Sequence, residues 1–497
     1  MAMSDDTPTG IQRLVASPTV RSGYTSAVVH LLVLIGLALL WIDRRPPPRP
    51  RPIVIAIAAA TDAAAESGAA AAAALMPGPP AAAPPPVVPL AAAEPELPPA
   101  PEPAVTPESP VPVPIQPVAP AVATGDSVVA RPASLVQPTP AGTAAGAAIA
   151  AAFACRSGAD RGAAVRDRGG SAASEAAVER GLAWLARHQA ADGSWRFDLS
   201  GCQCDGGCRD AGTVSSTTAA TGIALLPFLG AGHTQAAGAY RETVTRGLYY
   251  LMSRIQPTPR GGDLAEGTMY GQGVATLALA EALGMTKDEM LVRPVRDAVR
   301  FIVTAQDSYG GGWRYLPGQA GDTTVTAWQL AALKSAALAG LEVPSPTFDG
   351  VCRFLDRVET QGGAAYGYQS PQARSCTSAI GLLCRMYTGW DREEPLDRGL
   401  AALAKPGPAA QGVYQNFYLA QALLQRDHPA WPRWNARNRD QLVARQGAIG
   451  HEAGSWFFAD PETAPGGRLA HTALAVLTLE VYYRLLPIYG HAAVTGF

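Results

Sequence analysis

The sequence predicts an all-α fold, an α/α toroid of about six helix pairs, and three observations point to it. Apolar residues recur at spacings of three and four through residues 173–497, broken by Gly/Pro-rich turns. The helices marked in this way alternate, one amphipathic and the next apolar on every side. A unit of helix, Gln, Gly and aromatic also recurs. Gln189 is followed by Gly193 and Trp195, Gln306 by Gly310 to Gly312 and Trp313, Gln361 by Gly362 and Tyr366, and Gln446 by Gly454 and Trp456.

Along the chain, residues 1–23 form an N-terminal tail. From Tyr24 to Ile42 the chain is apolar except for Thr25, Ser26 and His30. At 1.5 Å per residue the run spans roughly 28 Å, enough for a bilayer core. Tyr24 and Trp41 stand where interfacial aromatics belong. Asp43-Arg44-Arg45-Pro46 is no small-residue cleavage site, so residues 24–42 are expected to be a retained transmembrane helix. Ser26 and His30 lie one turn apart on one helix face, and an ionisable group inside a membrane is a candidate partner contact.

Residues 43–172 are rich in Ala, Pro, Gly and Val, with runs such as Pro84-Pro85-Pro86, and have almost no aromatic residue to bury. They are expected to be a disordered, extended spacer. Orientation is contested. Arg44, Arg45, Arg49 and Arg51 outnumber Arg13 and Arg21, which places the following domain in the cytoplasm by the positive-inside rule. A long Ala/Pro spacer behind an anchor instead suits a domain held across a periplasm. The expectation adopted is a single-pass inner-membrane protein with a periplasmic ring. A net charge of −2 and the lack of a dense basic stripe argue against nucleic acid as a partner.

Residues 173–497 hold nearly all the Trp and Tyr. Helices are expected near 174–190, 215–230, 238–254, 268–284, 288–306, 322–341, 347–360, 376–389, 395–404, 413–426, 432–446 and 468–486. Segments such as Val295 to Gln306 are half polar and belong on the rim. Thr217 to Leu226 and Ala473 to Leu479 are apolar all round and belong inside. An open solenoid of the same pairs is the structural alternative.

The segment from Arg180 through Gln189 to Trp195 resembles the QW repeat of squalene cyclases and related terpenoid cyclases. Residues 173–497 resemble the bacterial proteins with prenyltransferase and squalene-oxidase repeats, a superfamily that includes the protein prenyltransferase β-subunits. The resemblance implies a toroid whose Gln satisfies backbone groups at helix ends and whose Trp pins a loop. The span with Ser26 and His30 and its Pro-rich continuation resembles the TonB-type anchor, which implies a proton-driven membrane partner.

Asp322, at the start of an inner helix, is a helix-cap candidate by position. Squalene-type cyclases protonate an alkene with Asp-x-Asp-Asp, whereas here Asp322 is followed by Thr323 and Thr324. Protein prenyltransferases hold zinc through Asp-x-Cys followed by Trp-Gln, and through a later His. Asp322-x-Thr324, Trp328-Gln329 and His471 match that pattern except that Thr324 replaces the thiolate. Asp322 and His471 are therefore the candidate catalytic or weak-metal pair, and neither family's reaction transfers intact. Thr324, Trp328, Tyr270, Tyr414 and Asn416 are candidate ligand-binding residues at the inner-helix starts. They suit core packing equally.

Cys202, Cys204 and Cys208 form a dense cluster in the loop between the first two helices, read as a metal clip or a disulfide. A metal would need a fourth ligand such as Asp205, Asp210 or a distant His, and a periplasmic location favours the disulfide. The functional expectation is a membrane-tethered ring that binds an apolar or peptide ligand. The alternative is an isoprenoid-processing enzyme using Asp322 and His471. The cofactor is unknown beyond a possible metal ion.

Overall fold

The computed structural model describes residues 153, 155–156, 158–202, 204 and 207–484. The expected span at 24–42 with Ser26 and His30, and the spacer up to 152, lie outside these residues. Among the described residues, no helix is long and apolar enough to cross a membrane.

The elements follow in chain order. Helices α1 (Gly158–Arg168), α2 (Ala172–Arg187), α3 (Thr217–Gly230) and α4 (Arg241–Arg254) precede a hairpin of β1 (Gln256–Thr258) and β2 (Gly261–Asp263). Next come α5 (Met269–Thr286), α6 (Glu289–Thr304), α7 (Thr323–Leu338) and α8 (Ser345–Val358), then β3 (Glu359–Thr360) and β4 (Ala365–Tyr366). The chain continues with α9 (Ser375–Tyr387), α10 (Glu393–Ala404), α11 (Val413–Gln425), α12 (Trp431–Arg445), α13 (Gly467–Leu479) and α14 (Val481–Arg484). The two antiparallel hairpins are additions to the all-α expectation.

Helices α3, α5, α7, α9, α11 and α13 are buried along nearly their whole length, as their all-round apolar sequences require. Each packs against the next, and α13 packs back against α3, so the six close into a ring. The intervening helices are amphipathic and lie outside. In α6, for example, Leu291, Val295, Ala298, Val299 and Ile302 are buried at spacings of three and four. The open solenoid is thereby excluded.

The recurring unit works the same way in three places. Gln189 Nε2 donates to Gly193 O at 2.9 Å and to Thr243 O, on the next outer helix, at 3.0 Å. Gln306 does so to Gly311 O (2.6 Å) and Thr347 O (2.9 Å). Gln446 does so to Gly454 O (2.9 Å) and Ala177 O (2.8 Å). Trp195, Trp313 and Trp456 are buried, and each indole N–H closes on a carbonyl of the outer helix before it, Leu185, Ile302 and Leu442. Gly311 and Gly454 hold φ of 82° and 96°, and a Cβ would lie 1.9 Å from Gly350 O and 2.3 Å from Arg180 O. Those turns therefore admit only glycine. The fourth unit departs from the pattern. Gln361 is exposed, and Tyr366 takes the tryptophan's place, with its N–H donating to Ser378 Oγ at 3.0 Å.

One boundary differs from the sequence expectation. Helix α1 lies inside the stretch whose composition reads as disordered spacer. Ala164 and Val165 are buried, Arg161 pairs with Glu175 at 2.8 Å, and its guanidinium covers the Tyr483 ring at 4.5 Å. Just before it, Arg156 is buried and bonds Glu281 at 2.7 Å, as does Arg484 from the other side. This ion triad fills the end of the ring where α3 and α5 terminate. Charge pairing, together with the burial of Ala164 and Val165, docks the segment on the fold.

Candidate functional site

The inner helices run parallel and direct their N-terminal halves into one cavity of ≈ 130 Å³. Its walls are mostly apolar, from Phe197, Val214, Ala219, Ile223, Val274, Ala470 and Leu474. Tyr270, Thr324, Trp328 and Tyr414 all line it, joined by Tyr368, Arg374, Glu462 and Thr463. The structure therefore brings four of the sequence-selected ligand residues together. Asn416 is turned away, tying the Ala409 backbone through both ends of its amide at 3.0 and 2.8 Å. Its place one helical turn inside α11 gives it a different face from Tyr414.

Asp322 does not line the cavity. It caps α7, its Oδ1 accepting from Val325 N at 2.8 Å, and it accepts from Thr324 Oγ1 at 2.8 Å. The Tyr270 hydroxyl lies 2.6 Å from Thr324 Oγ1. Since the Thr324 proton goes to the carboxylate, Tyr270 donates to Thr324, and the oxygen of this cavity-lining residue keeps acceptor capacity. Burial raises the Asp322 carboxyl to about 6, against the hydrogen bonds from Val325, Thr324 and Tyr368 and the charge of Arg314. Its other oxygen, Oδ2, forms an ion pair with Arg314, whose Nε lies 3.8 Å away.

His471 belongs to a second chain of the same kind. Its Nδ1 accepts from Phe458 N at 3.4 Å, so Nε2 carries the proton and donates to Thr463 Oγ1 at 2.6 Å. Thr463 is in turn hydrogen-bonded to Asp460, which caps α11 by accepting from Tyr414 N at 3.1 Å. Burial lowers His471 to about 4, so it is neutral at physiological pH. Among the described residues no hydrogen bond joins Asp322 to His471. Each reaches the cavity through a threonine.

Other side chains of the inner helices hold the scaffold. Gln272 satisfies Leu264 N, Gly262 O and Ala298 O, and Trp328 donates to Tyr414 Oη at 2.8 Å across the cavity wall. The residues that sequence reasoning missed, Tyr368, Arg374, Glu462 and Thr463, sit in the loops before α9 and α13. The available signal was position, since the residues that open each inner helix face the cavity. Glu462 is raised by burial and by Asp460, against Arg374.

The three loop cysteines also converge. All seven cysteines are free thiols, and Cys202, Cys204 and Cys208 gather around His188, the C-cap of α2. Asp210 is drawn away by an ion pair with Arg468. The ligand atoms of the four residues all lie within 4.8 Å of one another.

No known protein family matches this chain, and no curated protein sequence does. Among solved structures, the GH76A alpha-1,6-mannanase from Salegentibacter sp. HEL1_6 is similar at 10% identity and a TM-score of 0.44, over 61% of this chain and 99% of that one. A single-substitution variant of the type II terpene cyclase MstE from Scytonema, with the product merosterolic acid A bound, is similar at 16% identity and a TM-score of 0.43, over 63% and 98%. The unsubstituted cyclase without ligand gives 14% and 0.41, over 62% and 98%. At this level of similarity, activity has to be read from the site itself.

Proposed function

We propose that the ring binds a small apolar ligand carrying a hydroxyl or another hydrogen-bond donor, and that the chain tethers this module to a membrane. The observation that carries the reading is the cavity itself, apolar on its walls and lined by the Tyr270 hydroxyl. A cavity of ≈ 130 Å³ is of the same order as the ~150 Å³ apolar cavity that accepts a benzene ring. It suits one ring or one isoprenoid end. The apolar run at 24–42 and the Ala/Pro spacer support the tether, with the ring on the periplasmic side.

The test is binding of farnesol and 4-butylphenol to the full chain in detergent, followed by Trp328 fluorescence. Saturable quenching is expected, lost in Ala219→Phe, which fills the cavity. Tyr270→Phe should weaken phenol more than butylbenzene. Equal quenching of the A219F chain would remove the cavity as the site.

A second reading is acid–base chemistry on the same ligand. The link from Asp322 through Thr324 to Tyr270 on the cavity wall, and the rise of its carboxyl to about 6, favour it. Turnover of an isoprenoid substrate that disappears in Asp322→Asn with binding retained would establish it, and binding without turnover would leave the ring a carrier.

A further inference from the structure

The loop between α2 and α3 carries a site that the cavity does not use. His188 Nε2 lies 3.2 Å from Cys208 Sγ and 3.3 Å from Cys204 Sγ, and Cys202 Sγ lies 3.8 Å from Cys208 Sγ. A tetrahedral zinc with Zn–S of about 2.3 Å and Zn–N of about 2.0 Å has ligand-to-ligand edges of roughly 3.5–3.8 Å. Three of the six spacings thus match such a set to within a few tenths of an ångström, and all six lie within 4.8 Å.

The imidazole is prepared for a cation. Its Nδ1 lies 2.7 Å from Trp184 O, and a carbonyl only accepts, so the ring proton sits on Nδ1 and the Nε2 lone pair faces the sulfurs. The Trp184 ring stacks on it at 3.8 Å and fixes its plane. A disulfide would use two of the three sulfurs and leave the imidazole without a role. Ordinary core packing does not explain the cluster either, since Cys202 and Cys208 are only part-buried.

The loop also joins the two ends of the repeat series. Arg209 pairs with Glu452, Arg468 N donates to Asp210 O at 2.8 Å, and Thr213 and Val214 donate to Pro465 O at 2.8 and 3.1 Å. The first helix pair therefore meets the last across this loop, at the seam where the ring closes.

We propose that His188, Cys202, Cys204 and Cys208 bind one structural Zn²⁺ that fastens the closing seam of the ring. Three thiolates and one imidazole make a closed four-ligand set, with no open position for substrate, and their softness selects zinc over harder cations. On binding, the three thiols release three protons, and the centre carries one net negative charge. This site is independent of the cavity ligand, so either reading can fail alone.

The test uses the full chain, reduced, supplied with ZnSO₄ and dialysed. Metal analysis should find about one Zn²⁺ per chain, falling at least about tenfold in the Cys204→Ser/Cys208→Ser double variant. Co²⁺ in the unsubstituted chain should give the intense visible bands of a tetrahedral, sulfur-rich centre, a readout that does not depend on the variant folding. Chelation should expose three further reactive thiols and speed hydrogen exchange at 207–214 and 463–468 more than at 307–313. Absence of retained zinc together with a weak octahedral Co²⁺ spectrum overturns the site, as does a disulfide among the three cysteines. Exchange that rises equally in all three segments overturns the seam role.

Discussion

Gln446 donates to the carbonyl of Ala177 at 2.8 Å, joining residues 269 positions apart. The bond has the same form as Gln306 to Thr347, between neighbouring repeats inside the ring. The closing interface is therefore built like an internal one, and the domain is a cyclic array.

If that equivalence holds, Gln446→Ala and Gln306→Ala should cost similar stability, about 1–3 kcal/mol each, because each strands a buried glycine carbonyl, Gly454 or Gly311. Urea unfolding midpoints of the two variants check this. A neutral Q446A beside a costly Q306A would mean the seam is open in solution.

Gly311→Ala should cost at least about 3 kcal/mol, since its Cβ would meet Gly350 O at 1.9 Å in a left-handed turn. Gly340 has the same sign of φ but open space around it, so Gly340→Ala should cost only about 1 kcal/mol. Thermal melts of the pair separate steric exclusion from backbone preference.

The pH dependence of stability carries the Asp322 signature. Its folded value, about 6, lies above the ordinary 3.8, so the native state holds the proton more tightly than the unfolded chain does. Its contribution is fully present below 3.8 and is lost as pH rises to about 6. Asp322→Asn should flatten the stability curve across that window. Denaturation at a series of pH values tests the sign, and a wild-type curve that rises more steeply than the variant's across it would contradict the assignment.

Glu281→Gln should cost about 3–5 kcal/mol, because Arg156 and Arg484 are both buried against that carboxylate. Arg156→Met should loosen α1, seen as faster proteolysis between residues 156 and 172. Unchanged cleavage there would show that α1 holds by its own apolar contacts.

The paired helices and the inner or outer place of each were legible because burial follows from periodicity. Gln189, Gln306 and Gln446 were legible as one device because each precedes a glycine turn and a tryptophan. Helix α1 was not, since its docking rests on Arg156, Arg161 and their distant carboxylates, which leave no pattern in an Ala/Gly/Arg-rich segment. His188 was visible as a residue, but its role depends on where α2 stops and on Trp184 fixing its tautomer. Asp322 and His471 were paired by resemblance, whereas the fold gives each its own threonine. The helical phase that separates Asn416 from Tyr414 could be counted in the sequence, but which face meets the cavity could not.

The ion triad of Arg156, Glu281 and Arg484 lies at the opposite end of the ring from the inner-helix starts that line the cavity. A molecule longer than a chamber of ≈ 130 Å³ must leave its remainder outside the ring. Such a geometry suits handing over or displaying a molecule at least as well as transforming it.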